Sequence, residues 1–256
     1  MSVASVDFGA PAAPRPAWLP AAAAGLADAP AADVLAWAVA TFGSDLTVAS
    51  SMQDGVLVDL AVRADPRVEV VFLDTGFHFA ETLDTARRMR ARYDLNLVTL
   101  RPEPGAATYR LDATEACCEA RKVAPLERHL AGRAAWVTGL RRAESPSRAR
   151  AATVEWDAGR GLVKVNPIVA WSDDDVDRYV AEHDIIVNPL RDKGFDSIGC
   201  APCTLPGEGR SGRWAGSDRL ECGLHLVPRG FAAVAHRELC HAGAFTSPKN
   251  RMPNTR

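Results

Sequence analysis

The residues best equipped for chemistry lie between Ile198 and His225, a stretch that includes Ile-Gly-Cys-Ala-Pro-Cys-Thr, Gly-Arg-Ser-Gly-Arg-Trp and Glu-Cys-Gly-Leu-His. It holds a Cys-x-x-Cys (Cys200 and Cys203), an arginine pair (Arg210 and Arg213), a lone thiol (Cys222) and a nearby histidine (His225). An adjacent thiol pair, Cys117-Cys118, stands well upstream. Four thiolates can hold a structural zinc ion or an iron–sulfur cluster. Zinc sites ordinarily bring two spaced pairs, whereas adjacent thiolates can reach different irons of one cubane. The pattern therefore favours a cluster and leaves zinc open. Burial as small hydrophobes would account for one or two of these cysteines, not for both pairs.

Cys222 stands outside that set. Cationic neighbours lower a thiol pKa, and His225 with the surrounding arginines would make Cys222 a nucleophile. A single cysteine is ordinarily a spare thiol, which is the reading for Cys240. The place of Cys222 behind the cysteine and arginine motifs reverses that order. Further bases are Arg121-Lys122, Arg141-Arg142 and Arg148. Guanidinium forks match sulfate and phosphate oxygens, so bases gathered around one site predict an anionic substrate. The turn Ser50-Ser-Met-Gln-Asp54 is a weaker phosphate signal.

Alternating strands and helices must position these groups. Apolar spacing predicts a helix over 29–42, with Asp28 as its N-cap, and a buried strand over 46–50. A small-residue turn leads into a helix over 56–62, the geometry that aims backbone N–H groups and a helix dipole at a phosphate. Strands over 68–73, 95–100 and 134–139 alternate with helices over 79–93 and about 114–130. A hairpin over 153–165 and a helix begun by the capping box Ser172-Asp-Asp-Asp175 follow. This order predicts an α/β fold, a parallel sheet with helices on both faces, with its site beyond the carboxyl ends of the strands. Past Asn188-Pro189 the periodicity fades, which suggests a segment ordered by ligands.

Of the 256 residues, 30 are basic and 32 acidic, giving a formal charge of −2, so nothing draws the whole chain to nucleic acid or anionic membrane. No segment approaches the length of a membrane helix. Residues 1–27 read as a flexible leader, 28–225 as one domain and 226–256 as a tail of unreadable structure. The expected location is cytoplasmic, where six cysteines suit metal or catalysis better than a disulfide scaffold.

The chain resembles the assimilatory sulfonucleotide reductases, and within them the adenosine 5′-phosphosulfate (APS) reductases. The resemblance rests on Leu73-Asp-Thr-Gly76, Cys117-Cys118-x-x-Arg-Lys122, Trp136-Val-Thr-Gly-Leu-Arg-Arg142, Ser197-Ile-Gly-Cys-x-Pro-Cys203, Arg210-Ser-Gly-Arg-Trp214 and Glu221-Cys-Gly-Leu-His225. It implies a Rossmann-like, adenine nucleotide alpha-hydrolase-like fold with a mobile catalytic segment over 205–225. It implies one [4Fe-4S] cluster on Cys117, Cys118, Cys200 and Cys203, and Cys222 as the nucleophile beside His225. Lys122, Arg210 and Arg213 would hold the phosphosulfate. Ser50, Asp54, Asp74, Thr75, Gly76 and Arg141 would line the nucleotide pocket. The implied reaction is reduction of APS to sulfite and AMP by thioredoxin, in sulfate assimilation for cysteine biosynthesis; a homo-oligomer is left open. The branch specific for the 3′-phosphorylated nucleotide, PAPS, lacks the cluster cysteines. ATP pyrophosphatases need a Ser-Gly-Gly-x-Asp-Ser loop, and Ser50–Gly55 lacks its middle glycines and final serine. Two departures from the family pattern are a short linker over 102–116 and a chain that continues past His225.

Overall fold

A computed structural model describes residues 14–214, 219 and 221–225. The elements in order are α1 (Leu19–Gly25), α2 (Ala31–Phe42), β1 (Leu46–Ser50), α3 (Val56–Ala64), β2 (Glu69–Leu73), α4 (Ala80–Tyr93) and β3 (Leu97–Leu100). There follow α5 (Thr114–Cys118), α6 (Ala124–Leu130), β4 (Ala135–Thr138), β5 (Val154–Asp157), β6 (Leu162–Val165) and α7 (Asp173–His183). The six strands form one sheet in the order β3-β2-β1-β4-β6-β5. Every pairing is parallel except that of β5 with β6, which closes the edge as an antiparallel hairpin.

Side chains alternate across a strand, and here the alternation divides the core in two. Leu46 and Val48 of β1, Val70 and Phe72 of β2, and Val163 and Val165 of β6 join a large core with α1, α2, α3, α4 and α7. Val71, Trp136 and Leu162 point the other way, into a smaller core closed by Leu126 and Leu130 of α6. Leu224, two residues beyond Cys222, packs onto that second core. The expected parallel sheet with helices on both faces is therefore present, and its cover is unequal.

Local differences have physical causes. Pro30, not Asp28, sits at the N-cap of α2, where a missing N–H costs nothing. Part of the expected leader is folded: Leu19 of α1 is buried, and Trp18 packs edge-on to Trp37. The helix expected over 114–130 is split by a π-helical turn, Glu119–Val123, immediately after the cysteine pair. The stretch after Asn188 is ordered by hydrogen bonds within the chain. Buried Asn188 donates to Thr82 Oγ1 at 3.0 Å, and Gln53 Oε1 accepts the Ile198 amide at 2.9 Å. Residues 205–214 are tied in the same way, Leu205 N to Gly212 O at 2.9 Å and Trp214 N to Cys203 O at 2.8 Å. Cys240 and the tail over 226–256 lie outside the described residues.

The capping box is present as expected: Ser172 Oγ accepts the Asp175 amide at 3.1 Å, and Asp175 Oδ2 accepts the Ser172 amide at 2.9 Å. Ser172→Ala is expected to lower stability by about 1 kcal/mol in chemical denaturation. Hydrogen bonds from the Ser172 backbone and side chain, then from Arg178, hold the Asp175 carboxyl down at about 2. A depressed carboxyl stabilises the fold above its unfolded pKa and loses that contribution as pH falls through its folded one. The stability lost in Asp175→Asn should thus be present at neutral pH and vanish near pH 2. An equal loss at both pH values would refute this.

Candidate active site

The chain reverses its strand order between β1 and β4, and at such a switch point the carboxyl ends of neighbouring strands leave a crevice. A cleft of about 210 Å³ opens there. Ser50, Asp54, Lys122, Arg141, Arg210, Arg213, Cys222 and His225 all line it. Asp74, Thr75 and Gly76, expected in the nucleotide pocket, are not in its lining. Asp74 accepts the Gly76 amide at 3.1 Å and pairs with Arg101 at 3.3 Å. Thr75 faces the cysteines instead.

The turn after β1 is not an open phosphate cradle. Several of its amides are taken: Met52 N by Ser50 Oγ at 3.3 Å, Gly55 N by Ile186 O at 3.0 Å and Val56 N by Asp54 Oδ1 at 3.1 Å. Burial raises the Asp54 carboxyl pKa. The expectation of a helix dipole aimed at phosphate therefore gives way to side-chain cations.

Those cations are crowded. Burial, then the Arg148 charge, depresses the Arg210 pKa, and Arg213 adds to the effect. The Arg213 guanidinium donates to Ser197 Oγ at 3.1 Å and Ile198 O at 3.3 Å, with its centre 4.6 Å from the Trp214 ring. Its Nε is buried without a hydrogen-bond partner. Gly199 makes the slot: a Cβ there would stand 2.5 Å from Arg213 Nη2. Arg141 is held by Asp173 at 2.7 Å. Cations desolvated side by side gain most from an anion with several oxygens.

Cys117, Cys118, Cys200 and Cys203 line one small cavity beside the cleft, and Lys122 lines both. The π-helical turn follows the vicinal pair, and such a turn re-aims side chains within a helix. Cys203 N donates to Cys200 O at 3.0 Å, and Ala201 N to Phe77 O at 2.8 Å. Thr75 Oγ1 is 3.2 Å from Cys200 Sγ. Burial pushes the thiols of Cys117 and Cys118 up, and burial with the neighbouring Cys200 pushes Cys203 to about 11. Arg121 donates to the carbonyls of Thr75, Ala106 and Ala107, fastening the short linker before the cysteine pair. Among the described residues, no group of three or more His, Cys, Asp or Glu side chains is arranged to hold a metal ion as it stands.

Cys222 is half-buried, and its chain neighbours are fixed on both sides. Glu221, before it, is buried and accepts a two-point bond from Arg148, Nε at 2.7 Å and Nη2 at 2.8 Å. His225, after it, stacks on Trp136 with ring centroids 5.9 Å apart. Burial, then the charges of Arg148, Lys164 and Arg160, holds the His225 pKa well below the usual histidine value. The same causes disfavour a cationic His225 beside Cys222. Sequence reasoning passed over the Arg148–Glu221 pair, Gln53, Gly199 and His78, although all but Glu221 line the cleft. An acid directly before the thiol, in a basic segment, was the available signal.

A phosphoadenosine phosphosulfate reductase domain model matches residues 45–206. The chain is 50% identical over 216 residues to an adenosine 5′-phosphosulfate reductase of Mycobacteroides abscessus, covering 79% of this chain and 91% of that protein. It is also 50% identical over 213 residues to that of Streptomyces coelicolor, covering 78% and 90%. Among solved structures it resembles the phosphoadenylyl-sulfate (PAPS) reductase of Candida auris in a phosphate complex, with a TM-score of 0.63 and 26% identity over 73% of this chain and 96% of that one. Candida glabrata FMN adenylyltransferase shares the fold, with a TM-score of 0.52 at 15% identity over 69% and 64% of the two chains. With its cysteine cavity, cationic cleft and thiol gathered beyond the carboxyl ends of the strands, the chain belongs to the phosphoadenosine phosphosulfate reductase family and groups with its adenosine 5′-phosphosulfate reductases.

Proposed function

We propose that this APS reductase of sulfate assimilation works by thiol attack, with Cys222 as the nucleophile. The observation that carries the reading is that Cys222 shares one cleft with Lys122, Arg210 and Arg213. The Cys222 thiolate attacks the sulfuryl sulfur of APS. The bond from that sulfur to the phosphate oxygen breaks, AMP leaves with the electron pair, and a Cys222 thiosulfonate remains. Lys122, Arg210 and Arg213 hold the phosphosulfate and stabilise the charge growing on the leaving phosphate. Ser50, Asp54 and Arg141 line the nucleotide end of the same cleft. A dithiol protein of the thioredoxin type then attacks Cys222 Sγ, releasing sulfite. Its second thiol resolves the mixed disulfide, so the dithiol is oxidised by two electrons and the enzyme thiol returns. This chemistry requires a reducing compartment, in keeping with a cytoplasmic enzyme. Among the described residues, no helix is long and apolar enough to cross a membrane.

Cys117, Cys118, Cys200 and Cys203 would hold a [4Fe-4S] cluster. The support is chemical: four sulfurs, two of them vicinal and two in a Cys-x-x-Cys, line one small cavity, and that is a donor set an iron–sulfur cluster takes. When bound, the cluster supplies a fixed charge distribution beside Lys122, while the dithiol provides both electrons.

Three variants test this. Cys222→Ser should retain full iron and acid-labile sulfide yet release sulfite from APS about a thousandfold or more slowly; wild-type turnover would refute the mechanism. Cys203→Ala should lose iron, sulfide and brown colour together, and a colourless zinc-bearing wild-type protein would replace the cluster with zinc. Arg213→Ala should weaken APS binding about tenfold or more while changing AMP affinity less, since AMP lacks the sulfate. Equal losses for both nucleotides would remove Arg213 from the sulfate. The ratio of kcat/KM for APS and PAPS measures the nucleotide preference.

A further inference from the structure

The residue before the nucleophile carries more hydrogen bonds than a solvated acid needs. Glu221 Oε1 accepts from Arg148 Nε at 2.7 Å, Ser147 Oγ at 3.2 Å and Ser145 Oγ at 3.4 Å. Glu221 Oε2 accepts from Arg148 Nη2 at 2.8 Å and Arg210 Nη2 at 3.3 Å. Its backbone carbonyl accepts Arg219 Nε at 2.8 Å. Arg148 is fixed in turn, because Glu144 accepts its Nη1 on the side away from Glu221 and also accepts the Arg141 amide at 3.3 Å. Ser145, Ser147 and Arg148 thus reach Glu221 from the loop that leaves the carboxyl end of β4.

A buried ion pair is a poor source of stability, since desolvation offsets most of its attraction. A planar, two-point guanidinium–carboxylate contact does fix direction as well as distance. On the far side of Cys222, Gly223 turns the chain at φ +99°, a conformation that favours glycine, and Leu224 and His225 settle on the second core and on Trp136. Cys222 is therefore a single residue spanning two fixed points, and its thiol is set over the cleft by both.

We propose that Glu221, gripped by Arg148, is a positioning residue that aims the Cys222 thiol at the sulfuryl sulfur. It rests on the reading of Cys222 as nucleophile. The same carboxylate also takes a donor of Arg210, so the grip ties the place of the thiol to one of the cations that meet the anion. Glu221 itself is not in the lining of the cleft, so it would act through Cys222.

The test uses the whole cluster-bearing protein, APS and no reductant. Mass spectrometry follows addition of one sulfonate group to Cys222 in a single turnover, and iodoacetamide labelling reports how firmly the thiol is held. Glu221→Gln should slow sulfonate addition about tenfold or more, the scale expected for a misplaced reacting atom, and speed alkylation of Cys222. Arg148→Lys keeps the charge but loses the fork, and should shift both rates in the same direction. The double variant should be no worse than Glu221→Gln alone to within about twofold, as for residues that act as one unit. Iron content should stay at the wild-type value throughout, and AMP affinity should change less than the rate of sulfonate addition. Wild-type addition and alkylation rates in both single variants would overturn the proposal. So would loss of iron or AMP binding in both, which would make the pair a support of the fold. No sulfonate on Cys222 in the wild type would instead overturn the reading of Cys222 as nucleophile.

Discussion

A parallel sheet has two apolar faces, and both must be covered. In this protein one face takes α1, α2, α3, α4 and α7, whereas the other rests chiefly on α6. The second face is finished by Leu224 and His225, the two residues that follow Cys222-Gly223. The hydrophobic requirement of the sheet and the location of the thiol are thus met by the same short segment. Trp136 is the joint: its ring is fully buried in the sheet layer, and His225 lies flat on it.

The charges follow from that arrangement. Cationic side chains drawn together in one cleft, with Arg210 partly desolvated, are costly without an anion. Glu221 and Glu144 neutralise Arg148 from opposite sides, and Asp173 neutralises Arg141. Arg213 is handled differently, by carbonyl and hydroxyl acceptors, an aromatic face and a glycine slot. Its positive charge remains for a ligand to balance. The lowered pKa of His225 fits the same economy, since burial and then the charges of Arg148, Lys164, Arg160 and Arg210 disfavour a further cation there.

Much of this was legible in the sequence, and the failures share a cause. The strand at 46–50, the helix starting at Val56 and the capping box at Ser172 are local patterns, and each lies where its pattern puts it. Both cysteine pairs and the basic residues were visible from type and spacing alone. What could not be read was partnership over long range. Asp74 and Gly76 look like a ligand turn, yet they satisfy one another and Arg101. The serines after β1 look like a phosphate loop, yet they spend their oxygens on the turn's own amides. The Arg148–Glu221 contact joins residues 73 apart in sequence, and nothing local announces it. The order beyond Asn188 comes from single hydrogen bonds to the β1–α3 turn, which leave no periodicity.

The glycine in Ser197-Ile-Gly-Cys200 carries a different lesson. Beside a cysteine ligand it reads as part of a metal loop. Its missing side chain instead leaves room for the Arg213 guanidinium, packed flat against the main chain just ahead of Cys200. This tetrapeptide therefore borders two neighbouring cavities at once, Cys200 lining the cysteine cavity and Gly199 lining the cleft beside Arg213. A methyl group at position 199 would leave every sulfur in place and still evict the arginine. Main-chain atoms beside one cysteine thus also set the place of one arginine, and a single side chain at position 199 would separate the two.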